Sequence, residues 1–132
     1  MHLFAYGTLM FPEVWRRVVG RDVPAQRATA AGFAVYRVRN GVYPVMVSAE
    51  AGERVVGVVY RDLDPATFDA LDAYESDLYE RIAIEVKLDS GSALTCQAYV
   101  LPISRAGHAS DERWDAAEFK QMWLADYLQS LT

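Results

Sequence analysis

Glu75 is a carboxylate where the pattern of its neighbours calls for an apolar side chain. Residues 64–75 predict a short helix, with Asp64 as a suitable N-cap and Pro65 suited to the first helical position. At helical spacing Phe68, Leu71 and Glu75 share one face, and the first two turn that face toward a core. Asp69 points elsewhere, into water. A carboxyl group among apolar neighbours resists ionisation and becomes a proton carrier near neutral pH. The competing reading leaves Glu75 at a frayed helix end, turned into solvent. Surface glutamate is common, and spacing alone leans toward that second reading.

The segment Tyr6-Gly7-Thr8-Leu9-Met10 could also do chemistry. It leaves an apolar strand-like run and enters a helix that starts near Pro12. Gly7 allows close backbone approach, and successive amides at such a turn can converge on an anion. The plainer alternative is an ordinary strand-to-helix turn. Neither a phosphate-loop lysine nor repeated glycines follow, which argues against nucleotide binding. Tyr43, Tyr79 and Tyr99 could each supply a phenol to a pocket, or serve as half-buried strand residues. His2 and His108 are isolated, with no second ligand at metal spacing, and no Gly-x-Ser-x-Gly elbow is present. Cys96, the single cysteine, sits in an alternating apolar run and reads as a buried structural thiol. No metal or organic cofactor is expected.

The elements that must position these residues are mostly strands. Residues 33–39, Asn40-Gly41 and residues 42–47 read as a hairpin, in which Pro44 implies an edge position or a bulge. Residues 54–62, 79–88 and 94–101 read as further strands, the last two joined by Asp89-Ser90-Gly91-Ser92. Residues 11–19 predict a short helix, and residues 103–111 a polar loop. Residues 112–131 predict one long helix with Trp114, Ala117, Met122, Ala125 and Leu128 on its packed side, broadened by Phe119, Trp123 and Tyr127. Many strands with interspersed helices imply an α+β fold around a curled or barrel-like sheet, as a single domain over residues 1–132.

Bulk properties narrow the classes. The chain of 132 residues has a net charge of −5 and no basic cluster beyond Arg16-Arg17, which argues against a nucleic-acid groove. Neither a signal-peptide pattern nor an apolar run of membrane-spanning length is present, so the expected location is cytoplasmic.

Taken in order, Tyr6-Gly7-Thr8-Leu9, Tyr43-Pro44-Val45-Met46-Val47, Val56-Gly57-Val58-Val59-Tyr60, Leu71-Asp72-Ala73-Tyr74-Glu75-Ser76 and Tyr79-Glu80-Arg81 form a specific series. It resembles the γ-glutamylcyclotransferase-like, or AIG2-like, family from about the first strand to Val100. Val58 departs from the pattern, because the family often carries an acidic residue there. The resemblance implies a small mixed β-barrel flanked by helices, with a cavity at one end. It implies that Glu75 is the acid/base residue and that the loop of Tyr6, Gly7, Thr8 and Leu9 holds a substrate carboxylate or carbonyl. Tyr43, Tyr79 and Tyr99 are the expected remaining substrate contacts. The implied activity is a cofactor-independent acyl transfer, or lyase reaction, that cyclises a γ-glutamyl amine or peptide to 5-oxoproline and frees the amine. The alternative is a non-catalytic small-molecule-binding or interaction protein on the same scaffold.

Overall fold

Five strands close into a barrel, and a separate three-stranded sheet lies beside it. The computed structural model describes residues 1–131; Thr132, which the single-domain expectation included, lies outside them. The chain runs β1 (Leu3–Ala5), a 3-10 turn (Thr8–Met10), α1 (Pro12–Val19), β2 (Ala25–Ala31), β3 (Phe33–Val38), β4 (Pro44–Ser48), β5 (Arg54–Tyr60) and α2 (Pro65–Glu75). It continues through β6 (Glu80–Leu88), β7 (Ala93–Val100), a second 3-10 segment (Ile103–His108), β8 (Ala109–Arg113), α3 (Ala116–Met122) and α4 (Leu124–Ser130).

The barrel order is β1-β5-β2-β6-β7. A parallel contact of Leu3 with Gln97 closes it, held by the Gln97 amide donating to the His2 carbonyl at 2.7 Å. The expected α+β barrel with flanking helices is therefore the observed fold. Closure leaves the short β1 without a free edge, and it sets the end of β1 beside the end of β7. Alternation along β6 buries Ile84, Val86 and Leu88 inside the barrel, against Phe4, Ala28, Ala30 and Val59. A second cluster, built on Leu3, Leu9, Trp15, Tyr60, Phe68, Leu71 and Phe119, packs the helices on the barrel's outer side. Trp15 stacks on Tyr60 with ring centroids 3.7 Å apart.

The hairpin of β3 and β4 forms as expected, and Pro44 stands on the edge strand of the order β4-β3-β8, where its missing N–H costs no ladder bond. The turn is longer than two residues: the Val38 amide closes onto the Tyr43 carbonyl at 2.8 Å, with Asn40 at φ 64°.

Two expectations are corrected, for residues 103–111 and 112–131, and one strand, β2, was not expected at all. β2 has no strand signature in the sequence, because its Ala-rich run Ala28-Thr29-Ala30-Ala31 is poor in branched residues. Its place between β5 and β6 needs small side chains, and Ala28 and Ala30 are fully buried. The polar loop at 103–111 is a 3-10 segment followed by the start of β8, which pairs with β3. The single long helix over 112–131 does not exist. Residues 112 and 113 belong to β8, the Asp115 side chain caps α3 by accepting from the Glu118 amide at 2.9 Å, and Trp123 leaves helical geometry at φ −129°, ψ −15°. Trp123 lies under the Arg37 guanidinium, 5.0 Å from ring centroid to Cζ, a tertiary contact that competes with helix continuity. The break rotates the packed face: Phe119 and Leu124 are buried, whereas Ala117, Met122 and Ala125 are exposed. No helix of the described residues is long and apolar enough to cross a membrane.

Candidate active site

Asp64 fixes where α2 begins: its carboxylate accepts from the Thr67 amide at 2.9 Å and from the Thr67 hydroxyl at 2.6 Å. Phe68 and Leu71 then lock the helix rotation by burial in the outer cluster. Glu75, one turn beyond Leu71, comes up on that same face at the last position of α2 and enters a cavity of about 370 Å³. The chain turns away at once, with Ser76 at φ 65°, ψ −170°. Burial alone pushes the Glu75 carboxyl from 4.5 to about 8, with no partner charge or hydrogen bond contributing. The group therefore exchanges its proton near neutral pH.

The turn of Gly7, Thr8 and Leu9 lines the same cavity. Its carbonyls face the protein: Gly7 O accepts from the Met10 amide at 3.0 Å, Thr8 O from the Phe11 amide at 3.1 Å, and Leu9 O from the Tyr60 hydroxyl at 2.6 Å. Its amides do not. Among the described residues, the N–H groups of residues 7, 8 and 9 donate to no backbone carbonyl. They are the open first-turn donors that a helix start leaves for a ligand or water. Gly7 is fixed by space, since a Cβ there would stand 2.5 Å from Pro44 Cγ.

Tyrosines make up much of the remaining wall, and most of their hydroxyls are committed. Tyr6 donates to the Tyr99 carbonyl at 2.6 Å, and Tyr79 to the Pro44 carbonyl at 2.7 Å. Tyr99 donates to Asp72 Oδ1 at 2.6 Å, and Asp72 is held in turn by Arg81 Nε at 3.0 Å. Burial pushes all three phenols well above their ordinary range, so they stay protonated. They offer the cavity ring faces and hydroxyl oxygens rather than free O–H donors. Tyr74 bridges two elements: its hydroxyl hydrogen-bonds Thr8 Oγ1 at 2.7 Å and the Tyr127 hydroxyl on α4.

All eight residues singled out from the sequence, namely Glu75, Tyr6, Gly7, Thr8, Leu9, Tyr43, Tyr79 and Tyr99, line this one cavity. Sequence reasoning missed Tyr74, Leu78 and Tyr127. Tyr74 lay in plain view inside the motif that ends in Glu75. Tyr127 gave no usable signal, because it was absorbed into the apolar stripe of a helix that is in fact broken. Neither histidine lines the cavity; His2 Nδ1 accepts from the Asp62 amide at 3.1 Å. Cys96 is buried, and its thiol is pushed up to about 11. Among the described residues no three His, Cys, Asp or Glu side chains gather to hold a metal ion.

A family profile described as gamma-glutamyl cyclotransferase, AIG2-like, matches residues 3–116. The chain belongs to this family. AIG2-like protein B of Arabidopsis thaliana is 26% identical over 132 residues, spanning 99% of this chain and 76% of its own. A solution structure from Arabidopsis thaliana superposes with a TM-score of 0.75 at 24% identity, covering 98% of this chain and 78% of that one. The gamma-glutamyl cyclotransferase specific to glutathione from yeast superposes with a TM-score of 0.66 at 14% identity, covering 99% and 93%. At these identities the two structures establish the shared cyclotransferase fold. Membership supports a cyclotransferase-type activity at the level of the family, and the AIG2-like relatives carry no substrate in their names.

Proposed function

We propose that this chain cyclises a γ-glutamyl amine or peptide to 5-oxoproline and releases the amine, with Glu75 as the proton carrier. The observation that carries the proposal is the Glu75 carboxyl, held by burial at about 8 inside a tyrosine-lined cavity. In this reading the open amides of residues 7–9 hold the substrate's α-carboxylate or its reacting carbonyl oxygen. Ionised Glu75 takes a proton from the α-ammonium group. The freed amine attacks the γ-carbonyl carbon of the same molecule, forming the lactam C–N bond. Glu75 returns that proton to the leaving nitrogen as the original C–N bond breaks, then takes the second proton that the lactam nitrogen sheds and passes it to the released amine, which departs as an ammonium ion. One carboxyl thus serves as base and then acid, a role worth roughly 100- to 10,000-fold in rate. The nucleophile is part of the substrate, so the protein's remaining task is to hold it bent. Nothing in this sequence of steps calls on a metal or an organic cofactor.

Glu75→Gln keeps the size and the hydrogen-bonding reach of the side chain and removes the titrating proton. With a panel of γ-glutamyl amines and peptides, wild type is expected to release 5-oxoproline, and the variant to lose two or more orders of magnitude in kcat with native circular dichroism. A variant with near-normal turnover would remove Glu75 from the role.

A further inference from the structure

The mouth of the cavity shows what the released amine should look like. Among the lining residues Thr8 is buried and Glu75 half-buried, whereas Tyr43 is 45% exposed and Ser76 and Ser130 are exposed. Tyr43 and Ser130 mark one open side, past which a substrate whose glutamyl end reaches Glu75 can carry its amine part. There Tyr43, from the loop between β3 and β4, meets Tyr127, from α4, edge-on with ring centroids 5.5 Å apart. Leu78 and Leu131 also line the cavity. Among the described residues that line the cavity there is no Lys, Arg or His, and the only carboxyl is Glu75. Two guanidinium groups lie nearby, but neither lines the cavity. Arg81 is paired with Asp72 and bonded to Gln97, and Arg105 donates to the Leu78 carbonyl at 3.2 Å. Tyr127 lies beyond residue 116, where the family match ends, so membership assigns it no role.

We propose that the Tyr43–Tyr127 pair holds the amine part of the substrate, and that it selects an apolar or aromatic amine over one bearing its own carboxylate. The proposal rests on the γ-glutamyl reading of the cavity. The physical reason is twofold. Two rings at the mouth offer contact area and edge-to-face geometry to an apolar or aromatic group. A carboxylate there would give up water without meeting a cation among the described residues that line the cavity. Tyr127 is well placed for this, because its hydroxyl is tied to Tyr74 and its ring, held edge-on against Phe119, also meets Tyr43.

Glutaryl amides test the proposal separately from turnover. They keep the carboxylate and the amide of a γ-glutamyl compound but lack the α-amino group, so they cannot cyclise. Calorimetric titration of wild type should show glutaryl anilide binding about ten-fold or more tighter than glutarylglycine. Tyr43→Ala should shrink that ratio, and Tyr43→Arg, which supplies a cation at the mouth, should shift it toward glutarylglycine. Tyr127→Phe keeps the ring and should keep the preference, whereas Tyr127→Ala should lose it. Equal or reversed preference in wild type, a ratio unmoved by Tyr43→Ala, or no binding of either probe would overturn the proposal. If the anilide is preferred but γ-glutamyl anilide is not cyclised, the inference about the mouth stands and the proposed reaction falls.

Discussion

A methyl group added at position 7 would stand 2.5 Å from Pro44 Cγ, and the proline ring cannot swing aside as a flexible chain would. Gly7 therefore joins two parts of the site: the turn with the open amides, and the edge strand whose Pro44 carbonyl anchors Tyr79. Gly7→Ala should cost about 1–3 kcal/mol, the usual range for overpacking. It should also weaken binding of 5-oxoproline, because the turn or β4 must shift. Thermal melting and a 5-oxoproline titration on the same preparation check this. A variant with wild-type melting and affinity would show that the contact relaxes freely. At this scale the sequence was informative. Gly7 was visible as a glycine between a strand and a helix start, and Glu75 as a carboxyl on an apolar face. Which tyrosines offer a free hydroxyl was not visible, because the partners of Tyr6, Tyr79 and Tyr99 are 93, 35 and 27 residues away in the chain.

At the scale of elements, the end of α2 is the strained point. Ser76 at φ 65°, ψ −170° occupies a region that is essentially reserved for glycine, at a cost of about 1–3 kcal/mol. The reversal it makes sends the chain out of the helix directly after Glu75. Ser76→Gly relieves the strain and returns about 0.4–1 kcal/mol of it through greater freedom of the unfolded chain. The net expectation is a gain of roughly 1 kcal/mol in urea unfolding; a loss would mean that the serine side chain supports the turn. α2 itself was legible to the residue because its signals are local: a cap, a proline at the first position and helical spacing. The β3–β4 hairpin was legible for the same reason. β2 was not, since its alanines suit a strand only between the two neighbours that the fold supplies. The break at Trp123 was hidden too. Nothing local forbids a helix there, and what competes with it is the Arg37 contact, from a strand 86 residues earlier by sequence number.

For the whole molecule, the buried Glu75 makes stability depend on pH. The folded state keeps the carboxyl proton up to about pH 8, from an ordinary value of 4.5, so between those values it holds a proton that the unfolded chain has released. The stabilisation this gives is complete below pH 4.5, is lost progressively as pH rises, and is gone once pH has passed about 8. Tyr6, Tyr74, Tyr79 and Tyr99 do not interfere in this window, because burial moves their phenols upward from 10. Glu75→Gln cannot ionise and resembles the protonated acid. It should match wild type near pH 4 and exceed it near pH 8.5 by on the order of 3 kcal/mol, since each tenfold weakening of the acid on folding is worth about 1.4 kcal/mol and the side chain is not wholly shut from water. Urea unfolding of both proteins at pH 4, 6 and 8.5 reads the difference directly. A gap that does not change with pH would place the carboxyl in water and remove the property on which its proton-carrying role depends.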